Sequence, residues 1–159
     1  ARLRSGDAHA LLAVAVTAGP QADAEAQRLW QEEKPDESFF LSRLAVAVVE
    51  RLVFHAMMWF CRSVEPDGKT VLPHLSPGCG GWRFDDQQTL MRFLASGTMA
   101  IGPLKMMESG MISPQSSLLA AFGVTRQRVA PTPADACRAC DLTPCGFRRA
   151  PFSVGRDLS

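Results

Sequence analysis

Apolar residues first cluster at positions 11–17, Leu-Leu-Ala-Val-Ala-Val-Thr, a run closed by Gly19-Pro20. Its shortness, its valines and the Gly-Pro break predict a buried β-strand. Residues 22–33 are rich in Ala, Glu and Gln and predict a helix that Pro35 stops. Asp36-Glu37-Ser38 then opens a longer helix. Within it Phe40, Leu44, Ala47 or Val48, Leu52, Ala56 and Phe60 recur at helical spacing, with Arg43, Glu50 and Arg62 marking the wet side. The helix is nearly apolar all round over 46–49 and again over 57–61, so most of it is expected to be buried. Its methionines and Trp59 then read as core residues.

Pro66-Asp-Gly68 predicts a turn, and the stretch His74-Leu-Ser76-Pro77-Gly78-Cys79-Gly80-Gly81-Trp82 a loop whose backbone can approach a ligand with amides open to polar atoms. The other reading of that loop is an ordinary tight connection. Asp85 is placed to cap a helix over 86–94 that turns Leu90, Phe93 and Leu94 inward. After Gly102-Pro103, residues 104–107 predict a strand that delivers Glu108 and Ser109 to a turn at Gly110, and residues 118–124 predict the next strand. Phe40, Leu44, Val48, Leu52, Leu90 and Phe93 are expected to share one core. There is no internal repeat and no low-complexity segment.

A chain of 159 residues is one domain of ordinary size, able to bury roughly two-thirds of the surface its unfolded form exposes. The balance of 17 basic against 16 acidic residues provides no overall field to recruit nucleic acid. Glu50, Arg51 and His55 interrupt the longest apolar passage, 44–61, which argues against a membrane span and for a soluble, cytoplasmic protein. The start at Ala1, without methionine, predicts a fragment or C-terminal domain of something longer.

The densest chemistry is in the tail, where Cys137, Cys140 and Cys145 fall within nine residues and run into Arg148-Arg149. A C-x-x-C turn brings two sulfurs to one soft ion, and Pro144 bends the chain so that a third can join. Zinc or an iron–sulfur cluster normally takes four protein ligands, so a fourth must come from Cys79, Cys61, His9, His55, His74 or a small molecule. Five cysteines is an odd number for a disulfide framework, and no signal-peptide pattern opens the chain, so reduced thiols are expected. Two readings stay open: a bound metal or cluster, or plain thiols packed under a C-terminal loop.

Several of these segments occur together and in order: the 76–82 loop, Asp86-Gln87-Gln88, the stretch Met107-Glu108-Ser109-Gly110-Met111-Ile112-Ser113-Pro114 with Ser117 after it, and the Cys-Arg-Arg tail. Together they resemble the activation (reactivation) domain of cobalamin-dependent methionine synthase, and more closely its short bacterial relatives that end in a cysteine-rich tail. The resemblance runs from residue 11 to 151. It implies an α+β fold, a twisted and largely antiparallel sheet with packed helices over 1–134, and a cysteine-rich tail, 135–159, on the same domain.

In function the resemblance implies S-adenosylmethionine binding and docking over a corrinoid-binding domain. There, an electron from a flavodoxin- or ferredoxin-type donor and the methyl group of S-adenosylmethionine restore methylcobalamin after accidental oxidation, as in methionine biosynthesis. The domain positions the methyl donor, and the cofactor carries the chemistry. Glu108, in the family's Thr-Glu-Ser segment and followed here by Ser109, matches a carboxylate near the amino-acid portion of the ligand; Ser76, Pro77 and Gly78 match the loop that lines it. The family's arginine two positions before the loop serine is His74 here, and the tyrosine after Pro-Gly is Cys79. A guanidinium clamps a carboxylate with two hydrogen bonds at any pH, whereas a histidine offers at best one charged donor. Two function classes follow: an S-adenosylmethionine-binding reactivation partner of a corrinoid methyltransferase, or a noncatalytic metal- or iron–sulfur-binding module for interaction or electron transfer on the same fold.

Overall fold

A computed structural model of the protein describes residues 7–79, 82–97, 101–127, 138 and 150–151. In chain order the elements are strand β1 (Ala10–Thr17), helix α1 (Pro20–Gln31), helix α2 (Pro35–Val64), a 3-10 turn (Glu65–Asp67) and strand β2 (Thr70–Val71). Helix α3 (Asp86–Ala95) and strands β3 (Lys105–Met106), β4 (Ile112–Ser113) and β5 (Ser117–Thr125) complete them. The fold is α+β, as expected. β5 is the centre of an antiparallel sheet in the order β1-β5-β2, and β3 and β4 form a separate hairpin.

The two-residue period of the strands sorts side chains onto opposite faces of this sheet. Leu12, Val14 and Val16 of β1 and Leu118, Ala120 and Phe122 of β5 join Val53, Met57, Phe60 and Val64 of α2 and Val71 of β2. Ala13 and Ala15 of β1 and Leu119 of β5 point the other way and meet Leu90 and Met91 of α3, Leu104, and Ile112 of the hairpin. The architecture is therefore three layers: α2, the sheet, and α3 with the hairpin. Covered on both faces, β5 is buried from Leu119 through Thr125. Phe122 is wholly buried and meets Phe60 edge-on at 5.5 Å between ring centroids, a geometry that adds about 1 kcal/mol beyond area burial.

At 30 residues α2 is about 45 Å long, while the nine-residue β5 reaches only about 30 Å. The surplus is packed by α1, whose Leu29 is buried and whose Ala26 carbonyl accepts a 2.8 Å hydrogen bond from the Ser38 hydroxyl. Asp23, in the first turn of α1, accepts the backbone N–H groups of Gln115 and Ser116 and so ties α1 to the entry of β5.

The buried stripe of α2 is Ser38, Ala45, Val49, Val53 and Met57. This corrects the expected phase. Phe40, Leu44, Val48 and Leu52 are 69%, 61%, 42% and 40% exposed, Trp59 is 64% exposed, and Phe93 of α3 is 64% exposed. Of the six residues expected to share a core, only Leu90 is buried. The physical reason is size. Where a helix is apolar all round, the face with Ser38 and Ala45 allows the close approach of α1, and the bulky face is turned outward. By length and composition alone 35–67 could also cross a membrane, so the interrupting charges do not decide that question as the sequence reading had them do.

Candidate functional site

The segments 70–75 and 117–125 run antiparallel. Leu72 donates its N–H to the Gly123 carbonyl at 2.8 Å, and Leu75 exchanges two 2.9 Å bonds with Ala121. This pairing carries the chain to the loop that begins at Ser76. The loop then closes on itself: Cys79 N–H donates to Ser76 O at 3.0 Å, Gly78 N–H to Trp82 O at 2.9 Å, and Trp82 N–H to Cys79 O at 3.0 Å. Three of the amides expected to face a ligand are thus consumed within the loop. Gly78, at φ 87°, takes the left-handed conformation that a residue with a side chain adopts only under strain.

The second segment is the tip of the β3–β4 hairpin. Met107 N–H donates to Met111 O at 2.8 Å and Gly110 N–H to Met107 O at 2.9 Å, which places Glu108 and Ser109 on an exposed turn. Ser109 Oγ accepts the Met111 N–H at 3.4 Å. Gln87 of α3 donates from Nε2 to the Gly110 carbonyl at 2.7 Å and holds the turn against the helix.

Phe84 joins the two segments. A Cβ placed on Gly78 would lie 3.4 Å from Phe84 Cδ2, and one placed on Gly110, at φ 81°, would lie 3.5 Å from Phe84 Cε1. Both glycines therefore lie beside opposite edges of a single ring. Ser76 is 4% exposed, and its hydroxyl has no hydrogen-bond partner among the described residues. A buried, unpaired hydroxyl costs about 1–3 kcal/mol, a cost relieved when a polar group of a ligand or a water meets it. Pro77 is buried beside it, whereas Cys79 is exposed.

His74 stands apart from this arrangement. Its ring lies 5.8 Å from that of Phe122, tilted by 55°, and burial pushes its imidazole below the ordinary histidine value. It is neutral at pH 7, and a carboxylate meets no fixed positive charge there. Cys137, Cys140 and Cys145 lie outside the described residues. Among the described residues, no group of three or more His, Cys, Asp or Glu is placed to hold a metal ion.

The structure thus sets Gly78 of the 76–79 loop and Gly110 of the hairpin turn beside one Phe84 ring, and leaves His74 against the sheet. The sequence reading did not single out Phe84, and it gave Gln87 no role. The available signal was the spacing of glycines in two separate loops around one intervening aromatic residue. No model of a known protein family matches the chain, and no curated protein sequence matches it.

Proposed function

We propose that the chain is an S-adenosylmethionine-binding reactivation domain that supports reductive methylation of a corrinoid methyltransferase such as methionine synthase. The observation that carries this reading is the convergence of the 76–79 loop and the 107–110 turn on Phe84, with the buried Ser76 hydroxyl unpartnered among the described residues. The ordered motif resemblance supplies the ligand's identity. Glu108, on its exposed turn, supplies a carboxylate for the ligand's ammonium group, and the buried, unpartnered Ser76 hydroxyl is a second polar group. When bound by its partner domain and reduced, the corrinoid supplies the nucleophile that accepts the methyl group. This chain holds the methyl donor in place and presents it. The electron comes from a flavodoxin- or ferredoxin-type donor.

Calorimetry tests this reading. Wild-type protein is expected to bind S-adenosylmethionine, and Glu108→Ala to weaken binding by about 1–3 kcal/mol through loss of a charge-assisted hydrogen bond. Undetectable binding to wild type at millimolar ligand removes the reading.

A further inference from the structure

Among the described residues the outward face of α2 has no partner, and its residues are arranged with polarity. Phe40, Leu44, Val48, Leu52 and Trp59 fall within an arc of about 120° at 3.6 residues per turn, and all five are at least 40% exposed. Exposed aromatic and aliphatic residues concentrated in one strip mark an interaction surface. The same arc ends in opposite charges: Glu37 in the first turn and Arg62 in the last, both exposed and neither in an ion pair within the described residues.

We propose that this face pairs with the same face of a second copy of the chain, the two α2 helices lying antiparallel about a two-fold axis. Charge complementarity selects the arrangement. Antiparallel pairing brings Glu37 of each copy to Arg62 of the other, whereas parallel pairing would set like charge against like. The register that aligns these ends also sets Phe40 against Trp59, Leu44 against His55, and Val48 against Arg51. The aromatic anchors thus meet at both ends of the contact, and Leu44 and Val48 alternate with His55 and Arg51 in its middle. Arg51, exposed on the same arc, leans its guanidinium over the Phe54 ring of its own helix, 5.4 Å from the centroid. From Glu37 to Arg62 the strip is about 38 Å long, enough for helices crossing at about +20° to stay in contact over several turns. α2 lies on the opposite side of the sheet from α3 and the hairpin, so pairing leaves the 76–79 loop and the 107–110 turn accessible. The inference does not depend on the proposed ligand.

Sedimentation velocity on the purified chain over a range of concentrations tests the pairing. Wild type is expected to be a dimer at micromolar concentration, and Glu37→Arg and Arg62→Glu each to dissociate at about tenfold higher concentration as two attractive pairs become repulsive. The two variants mixed in equal amounts are expected to associate again, because in the mixed pair every arginine meets a glutamate. All substituted positions are exposed, and circular dichroism confirms that the variants fold. A monomeric wild type, or a mixture no tighter than either variant alone, overturns the proposal. Monomeric protein that co-sediments with phosphatidylcholine/phosphatidylglycerol vesicles, and loses this in Trp59→Ser, also overturns it and makes the face a membrane-docking surface.

Discussion

The two sides of α2 are nearly matched in hydrophobicity and opposite in fate. One carries Ser38, Ala45, Val49, Val53 and Met57 and is buried; the other carries Phe40, Leu44, Val48, Leu52 and Trp59 and faces outward. Hydrophobicity alone does not orient such a helix. The narrower side chains at Ser38 and Ala45 let α1 approach, and Val53 and Met57 fill the hollow above Ala120 and Phe122 on the sheet. Bulk is left for the outside, where it serves contact with another surface or none.

The largest effect that separates the sides is truncation. Met57→Ala is expected to destabilise the fold by about 2–5 kcal/mol, because it opens a cavity against Val53 and Phe122. Leu44→Ala, measured by denaturant unfolding at high dilution, is expected to change stability by no more than about 0.5 kcal/mol, since it uncovers no core. Equal costs at the two positions would mean that the helix is phased differently from this account.

A smaller effect sharpens the buried side of the comparison. His74 rests on Phe122, in the layer that α2 covers, and burial lowers its imidazole below its unfolded value of 6.5. Below pH 6.5 the unfolded chain binds a proton that the fold resists. Stability contributed by the neutral ring is therefore complete above about pH 6.5 and falls as pH drops toward the folded value. Denaturant midpoints between pH 7 and 5 are expected to decline more steeply in wild type than in His74→Gln. Parallel curves would place His74 in water.

Strands β1 and β5 and helices α1, α2 and α3 were legible in the sequence because each carries its own local signal: the Gly19-Pro20 break, the Pro35 stop, the Pro66-Asp-Gly68 turn and the alternation of Leu118 to Val124. The phase of α2 was not legible, because its periodicity has two apolar solutions and the choice rests on α1, which is distant in pattern though adjacent in chain. The resemblance implied a ligand between the 76–79 loop and Glu108. The approach of Gly78 and Gly110 to one Phe84 ring was hidden, because it arises only after α3 and the hairpin have packed on the sheet. The neutral state of His74 likewise depends on burial against β5, which no local pattern reports.

The central claim is that two loops separated in sequence form one ligand site on the side of the sheet away from α2. Amide chemical shifts followed by ¹H–¹⁵N spectroscopy during titration with S-adenosylmethionine test it most directly. The account predicts saturable shifts at Ser76, Gly78, Cys79, Phe84, Glu108, Ser109 and Gly110 together, with one apparent affinity and little change along the outer face of α2. Shifts confined to one of the two loops, shifts centred on α2, or none at millimolar ligand would contradict it.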